Sequence, residues 1–269
     1  MMLPQFGEAA QEKLKSTTAL VTGVGGLGGT AALYLAVAGI GRLILVRGGE
    51  LRLDDMNRQI LMTDDWVGQP RVFKAKETLE KINPDVKIDA VFEYVTPENV
   101  DSLVHDADIA VDCAHNFTER DRLNAACVRW NRPMVEAAMN GMEAYLTTIV
   151  PGETGCLSCL FPEKPEWDRR GFSVLGAVSG TLACLTALEV IKLVTGFSAP
   201  LRSELLTMDL DRMVFAKRRT YHDPHCPVCG SQNQSLSRTQ VTTSLSDSLI
   251  EPLKSSLADS PENSLVPNY

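Results

Sequence analysis

The chain predicts an α/β fold, a doubly wound and mostly parallel sheet with antiparallel strands toward the C-terminus. Three observations carry this reading. Short runs of branched apolar residues alternate with longer segments of helical spacing. A glycine-rich turn, "GVGGLGG", joins the first such run to a first apolar helix. From Asn140 onward the helical spacers give way to strand-like runs such as "EAYLTTIV".

Taken in order, residues 5–16 read as a short amphipathic helix leading into a strand over Thr18–Thr22. The glycine turn and an apolar helix over Thr30–Ile40 follow, then a second strand, Arg42–Val46. "PRVFKAKETLEKINP" has apolar residues at helical spacing and stops before Pro84. "KIDAVFEYV" alternates like a strand, and "ADIAVDCA" reads as a buried strand ending in a polar loop, "HNFTER". "RDRLNAACVRWN" is a helix, and "RPMVEAAM" begins the next strand. "EAYLTTIV" and "ELLTMDLDRMVFAKRRT" read as antiparallel strands. Between them lie a Pro- and charge-rich loop, "FPEKPEWDRRGFS", and a long apolar helix near Leu182–Val194. Residues 1–230 are expected to form one folded unit. Residues 231–269, rich in Ser, Thr, Asn and Pro with almost no aromatics, are expected to form a disordered tail, because they offer too little apolar surface to offset ordering entropy.

Composition excludes several classes. The net charge of −8 argues against bulk attraction to nucleic acid or anionic membranes. No uninterrupted apolar run reaches the ~18–20 residues that span a bilayer. The start, "MMLPQFGEAAQEKLKS", lacks the apolar centre of a signal peptide, so a cytoplasmic protein is expected. Of seven cysteines, Cys113, Cys127 and Cys184 are scattered, while Cys156/Cys159 and Cys226/Cys229 form two Cys-x-x-Cys pairs. In a reducing compartment such pairs favour metal over disulfides. Four thiolates complete a tetrahedral structural Zn²⁺ site with no open catalytic position. His225, beside Cys226, reads as a spectator.

Gly23, Gly25 and Gly28 form G-x-G-x-x-G, with Gly26 inside it. The first glycine permits the tight turn, the second lets backbone approach a phosphate, and the third lets helix pack on strand. Helix N-terminal N–H groups and the dipole then favour an anion. The alternative is a purely structural turn. A dinucleotide would call for an acid at the end of the second strand to hold ribose hydroxyls. That position reads Arg47, Gly48, Gly49, then Glu50, and an Arg there suits a 2′-phosphate. An NAD(P)-dependent oxidoreductase is therefore one alternative, but hydride transfer leaves "DDMNRQIL" and "DWVGQPRVFKA" unexplained.

In their order, "GVGGLGG", "DMNRQIL", "VGQPRVFKAKETLEKINPDVKI", "VDCAHN", the two cysteine pairs and "TALEVIKLVTG" resemble the ThiF/MoeB/HesA enzymes, bacterial relatives of ubiquitin-activating enzymes. The resemblance spans about residues 5–230, with detail nearest the HesA branch. It implies a Rossmann-like ATP-binding domain that adenylates a carboxylate, usually the C-terminal Gly-Gly of a ubiquitin-like sulfur-carrier protein, and releases pyrophosphate. It also implies a homodimer, Mg²⁺ and a zinc on four cysteines. Such chemistry needs fixed cations around the phosphates. Arg58 matches the family's phosphate-binding Arg, and Arg71 stands where the family has Lys. Lys74, one helical turn on, is a further phosphate candidate, and Asp112, at a strand end, is a candidate for placing Mg²⁺. The bland readings are a surface ion pair for Arg58, a helix cap for Asp112 and solvated helix charges for Lys74 and Lys76.

The chain departs from the family pattern at four places. Arg47 replaces the ribose-binding Asp, and Gly49 replaces a second acid. His115 replaces an Asp near Mg²⁺; it suits a phosphate, an anionic substrate or base chemistry, or else is a loop His. The Arg-bearing segment that relatives carry upstream of a stretch like "LPQFGEAAQEKL" does not stand in this sequence: either the start is truncated or the Arg that reaches the partner subunit's ATP site is absent. The loop before the long helix has no Cys, and Cys184 is expected to be a buried core residue, so adenylation without an enzyme thioester is expected. Arg169 and Arg170 in that loop suit an acidic partner, or else are solvated. These departures leave a small acid or oxyanion as a possible substrate, and a catalytically weakened nucleotide-binding scaffold as the other alternative.

Overall fold

A computed structural model describes residues 5–163 and 173–230. The expectations for Arg169, Arg170 and the tail 231–269 lie outside the described residues. Eight strands form one sheet: β1 (Thr18–Thr22), β2 (Arg42–Val46), β3 (Lys87–Val91), β4 (Ile109–Asp112), β5 (Met134–Asn140), β6 (Glu143–Ile149), β7 (Glu204–Asp209) and β8 (Val214–Arg219). Their order is β3-β2-β1-β4-β5-β6-β7-β8. Pairings from β3 through β5 are parallel, and those from β5 to β8 are antiparallel.

The inner strands read as almost continuous apolar runs because both faces are covered. In β1, Ala19 and Val21 join the core beneath α2 (Gly26–Ala38) and α7 (Gly176–Thr195), whereas Leu20 joins the core beneath α4 (Val100–His105) and α5 (Phe117–Arg129). Two further helices, α1 (Glu8–Ser16) and α3 (Arg71–Ile82), flank the first of these layers, and a short α6 (Leu157–Leu160) sits in the second.

Several boundaries differ from the expected ones. Helix α2 starts at Gly26, so the glycine turn is itself the first helical turn. Strand β3 ends at Val91, because Val95 turns inward and its N–H donates to the Glu119 carboxylate at 3.3 Å. The "HNFTER" segment opens α5: the Asn116 side chain accepts from Glu119 N–H at 2.8 Å and donates to the Glu119 carboxylate at 2.7 Å. This is an N-cap with a reciprocal Glu, and it is visible as Asn-x-x-Glu. Helices α4 and α6 were not expected; at 6 and 4 residues they are too short for a periodic signal.

Helix α7 is longer than the apolar run suggests, long and apolar enough by length and composition to cross a membrane. It is instead a core helix. Leu182, Ala183 and Val190 are buried, and Glu189 accepts hydrogen bonds from Thr148 Oγ1, Leu201 N–H and Lys192 Nζ at 3.0, 2.6 and 2.6 Å. Cys184 corrects its expectation: it lies on the exposed side of α7, off the buried stripe of Leu182, Ala183, Thr186 and Ala187.

The glycine turn is set by contact distances. Gly23 has φ +102°, and a Cβ added at Gly28 would lie 2.0 Å from the Gly23 carbonyl oxygen. At Gly25 the nearest atom to an added Cβ is Gln59 Nε2, at 3.9 Å. Gly28→Ala is therefore expected to lower stability by at least about 3 kcal/mol, because backbone must move. Gly25→Ala is expected to leave the melting temperature nearly unchanged. Thermal unfolding of the two variants checks the contrast.

Candidate active site

Strand β1 lies between β2 and β4, whose chain connections run in opposite directions along the sheet. Ligands of such sheets bind where the connections diverge, beyond the carboxyl ends of the strands. A cavity of about 860 Å³ opens there, floored by Gly23, Gly25, Gly26 and Gly28. Arg47, Arg58, Arg71 and His115 also line it.

One carboxylate organises the cations. Asp55, 5% exposed, holds Arg58 Nη2 at 2.8 Å on one oxygen and Arg71 Nη1 at 3.2 Å on the other. The second oxygen also accepts from Arg52 N–H at 3.0 Å. Asp55 ends a short 3₁₀ turn, Leu53–Asp55, and Arg58 stands three residues on. The Arg58 stem packs on the glycine turn: a Cβ at Gly26 would come 3.0 Å from Arg58 Cβ. Arg71 reaches in from the first residue of α3 and also donates to the Glu50 carbonyl. Burial, ahead of repulsion from Arg47 and Arg58, pulls the Arg71 pKa down, while Asp55 opposes the shift. Among the described residues, buried Arg71 Nε and Gln59 Oε1 have no hydrogen-bond partner.

His115 stands at the rim. Its pKa is lowered, first by desolvation and then by Arg47, Arg58, Arg120 and Arg71, so the ring is neutral at pH 7. Arg120 lines the cavity from below and donates to the Glu136 carboxylate at 2.5 Å and to the Ala114 carbonyl at 2.7 Å. Glu136 is fully buried; desolvation raises its pKa well above the carboxylate range, and Tyr145 donates to it at 2.9 Å.

The second constellation is thiolate. Sγ atoms of Cys156, Cys159, Cys226 and Cys229 all lie within 4.8 Å of one another, with Cys156–Cys226 at 3.7 Å and Cys159–Cys229 at 3.4 Å. Zn–S bonds of about 2.3 Å place tetrahedral sulfurs about 3.8 Å apart, so the set fits Zn²⁺. Asp223 N–H donates to Cys159 Sγ at 3.4 Å, an outer-shell contact of the kind such sites use. His225 is exposed and outside the cluster.

The family model described as ThiF matches residues 1–228. The chain belongs to the ThiF family. It is 80% identical over 231 residues to protein HesA of Nostoc sp., covering 86% of this chain and 92% of that one. It is 36% identical over 236 residues to the sulfur carrier protein ThiS adenylyltransferase of Escherichia coli, covering 87% and 94%. The crystal structure of E. coli MccB with ATP superposes with a TM-score of 0.73 at 29% identity, covering 82% of this chain and 68% of that one. The doubly wound fold and the family read from the sequence both hold, and this ThiF-family chain is an adenylyltransferase.

Two of the expected site residues do not line the cavity of this ThiF-family enzyme. Lys74 turns away, over the Trp66 ring at 5.3 Å and toward Glu77 at 3.5 Å, because one turn along α3 already faces that neighbour. Asp112 has no solvent exposure and lies under the floor, accepting from Ala114 N–H at 2.9 Å and Thr22 Oγ1 at 3.3 Å. It does not cap α5, where Asn116 does so. Conversely, Asp55, Gln59 and Arg120 were missed. Asp55 was present in the sequence only as part of an acidic loop, and Arg120 only as the residue four beyond the α5 cap.

Asp55→Ala strands two cations in a confined space, and a loss of about 3 kcal/mol in unfolding free energy is expected. Chemical denaturation measures it, and Asp55→Asn should recover part of the loss by keeping the hydrogen bonds that one of the two oxygens accepts. Stripping metal with a chelator should lower the melting temperature by several degrees, and Zn²⁺ should restore it. Metal analysis of the purified protein should give one zinc per chain.

Proposed function

We propose that ATP lies in this cavity with its phosphates on the glycine turn and under Arg58 and Arg71, and that the enzyme transfers AMP to a carboxylate. The carrying observation is the pair of arginines held by one buried carboxylate beside the N-terminus of α2. An acceptor carboxylate oxygen attacks the α-phosphorus, the bond to the β-phosphate bridging oxygen breaks, and an acyl-adenylate and pyrophosphate result. Arg58 and Arg71 stabilise charge on the phosphates as it develops. Neutral His115 offers one ring N–H or one lone pair to a phosphate or to the acceptor. Mg²⁺ accompanying the triphosphate would neutralise the leaving pyrophosphate, and among the described residues Asp54 is the cavity-lining carboxylate outside the Arg58–Asp55–Arg71 set that could meet it. Asp112 and Arg120 act from beneath as supports.

The acceptor is read as the C-terminus of an extended chain. A groove of about 560 Å³ runs over β6, β7 and β8 and shares Ala138 and Met139 with the cavity. Tyr145, Phe161 and Met208 give it apolar walls, and Arg218 a cation. A carrier-protein tail fits this groove with its carboxylate directed at the nucleotide; a small acid or oxyanion needs only the cavity. The ThiS adenylyltransferase, named for a sulfur carrier protein, favours a polypeptide acceptor.

No enzyme thioester is expected. Among the described residues Cys113 is the cysteine lining the cavity, and burial pushes its thiol far above the ordinary range, so thiolate is scarce. Zn²⁺ on the four cysteines serves structure. Exposed Tyr34, Val37 and Leu188 on α2 and α7 suit contact with a second copy, and unbridged cysteine pairs suit the cytoplasm.

ATP–pyrophosphate exchange with candidate carrier tails tests the reading. Exchange is expected with a polypeptide ending in Gly-Gly; ATP binding without exchange would favour a scaffold role instead. Arg58→Ala is expected to lower exchange about 10²–10³-fold. The His115 ring, followed by NMR, should titrate below its ordinary value of about 6.5 and move upward when ATP binds, because the triphosphate offsets the surrounding arginines.

A further inference from the structure

The sugar end of the cavity is built in a way that the adenylation reading leaves unexplained. In a sheet of this topology the ribose lies at the carboxyl end of the strand beside β1, and a carboxylate there accepts from the ribose hydroxyls. Here β2 ends at Val46 and the next side chain is Arg47, which lines the cavity. An arginine has donors and no acceptor.

The following turn leaves no room for a replacement acid. A Cβ at Gly48 would meet the Tyr94 ring at 2.6 Å, and one at Gly49 would meet the Tyr94 hydroxyl at 2.8 Å. Gly49 also has φ +80°, a conformation that side chains rarely adopt. Tyr94 thus fills the space two side chains would take, and the Arg47 guanidinium stacks over its ring at 5.3 Å. Tyr94 is anchored in turn, its carbonyl accepting from Asn99 Nδ2 at 2.9 Å. Among the described residues, the carboxylates that line the cavity, Asp54 and Asp55, belong to the Leu53–Asp55 turn rather than to the end of β2. Asp55 is engaged by Arg58 and Arg71, and Asp54 by Arg52.

We propose that Arg47, stacked on Tyr94 above the bare Gly48–Gly49 turn, is the sugar-specificity residue of this enzyme. It makes the sugar end a donor surface that does not select for a free 2′-hydroxyl and that favours an anionic group at the 2′ position. The inference rests on the nucleotide occupying the cavity as described above. Among the described residues a missing hydroxyl leaves no carboxylate at the end of β2 unpaired, so 2′-deoxy-ATP loses little. A 2′-phosphate gains a charge-assisted pair with a planar, pre-oriented guanidinium.

Calorimetric titration of the full chain with ATP and with 2′-deoxy-ATP tests this without any mutation. Dissociation constants within about threefold are expected. ATP binding with 2′-deoxy-ATP tenfold or more weaker overturns the inference and leaves the adenylation reading standing. Failure of both nucleotides to bind overturns the nucleotide reading and the inference with it. A second titration compares AMP with adenosine 2′,5′-bisphosphate. The bisphosphate is expected to bind about tenfold more tightly, and Arg47→Ala is expected to abolish that advantage. Equal binding of the two by the parent protein, or an advantage that survives in Arg47→Ala, overturns it. In Arg47→Asp, verified as folded by thermal melting, a preference of about tenfold for ATP over 2′-deoxy-ATP should appear.

Discussion

The cavity depends on one buried carboxylate. Two guanidinium groups repel each other, and neither would stay beside the other in a confined space without a shared counter-charge. Asp55 supplies that charge with one oxygen for each arginine, and the Arg52 backbone N–H fixes its orientation. Tied to Asp55 in this way, Arg58 and Arg71 line a space already arranged for an anionic occupant. Pre-arrangement of this kind is what lets fixed charges act on a reaction without moving during it.

The fold delivers that arrangement from three separate places. Helix α2 starts inside the glycine turn, so its free N–H groups open into the cavity. Arg58 follows a single 3₁₀ turn after β2, and Arg71 opens α3. Helix α7 closes the side: a Cβ at Gly176, its first residue, would come 2.4 Å from the Asn57 carbonyl, so α7 and the arginine-bearing turn are packed backbone to backbone. On the other face of the sheet, the cysteine cluster ties the α6 region to the segment after β8. Both segments follow antiparallel strands, and the cysteines pack with Leu20, Leu123 and Met134 in the core on that face of the sheet.

Local sequence carried much of this. The five parallel strands and the glycine turn were readable because apolar runs, helical spacing and glycines are local signals, and the cysteine pairs stand out by spacing alone. The errors have physical causes. Lys74 was grouped with Arg71 because both are cations on one helix, yet one turn of α3 carries it onto Trp66. Asp112 was expected to face a metal because it ends a strand, yet its side chain turns beneath the floor toward Thr22 and Ala114. Cys184 was placed in the core by its apolar neighbours, although the helix turns it outward.

By itself, the order of residues determined the layered architecture, the glycine turn and the thiolate set, since each follows from patterns within a few residues. Tertiary structure alone decided which charges meet. Asp55 and Arg71 are brought together only when β2 and α3 are packed, and Arg47 becomes part of the sugar end only because Tyr94, far along the chain, fills the space over Gly48 and Gly49. Charge falls off over a few ångströms and burial changes its strength, so partners distant in sequence are settled only by packing.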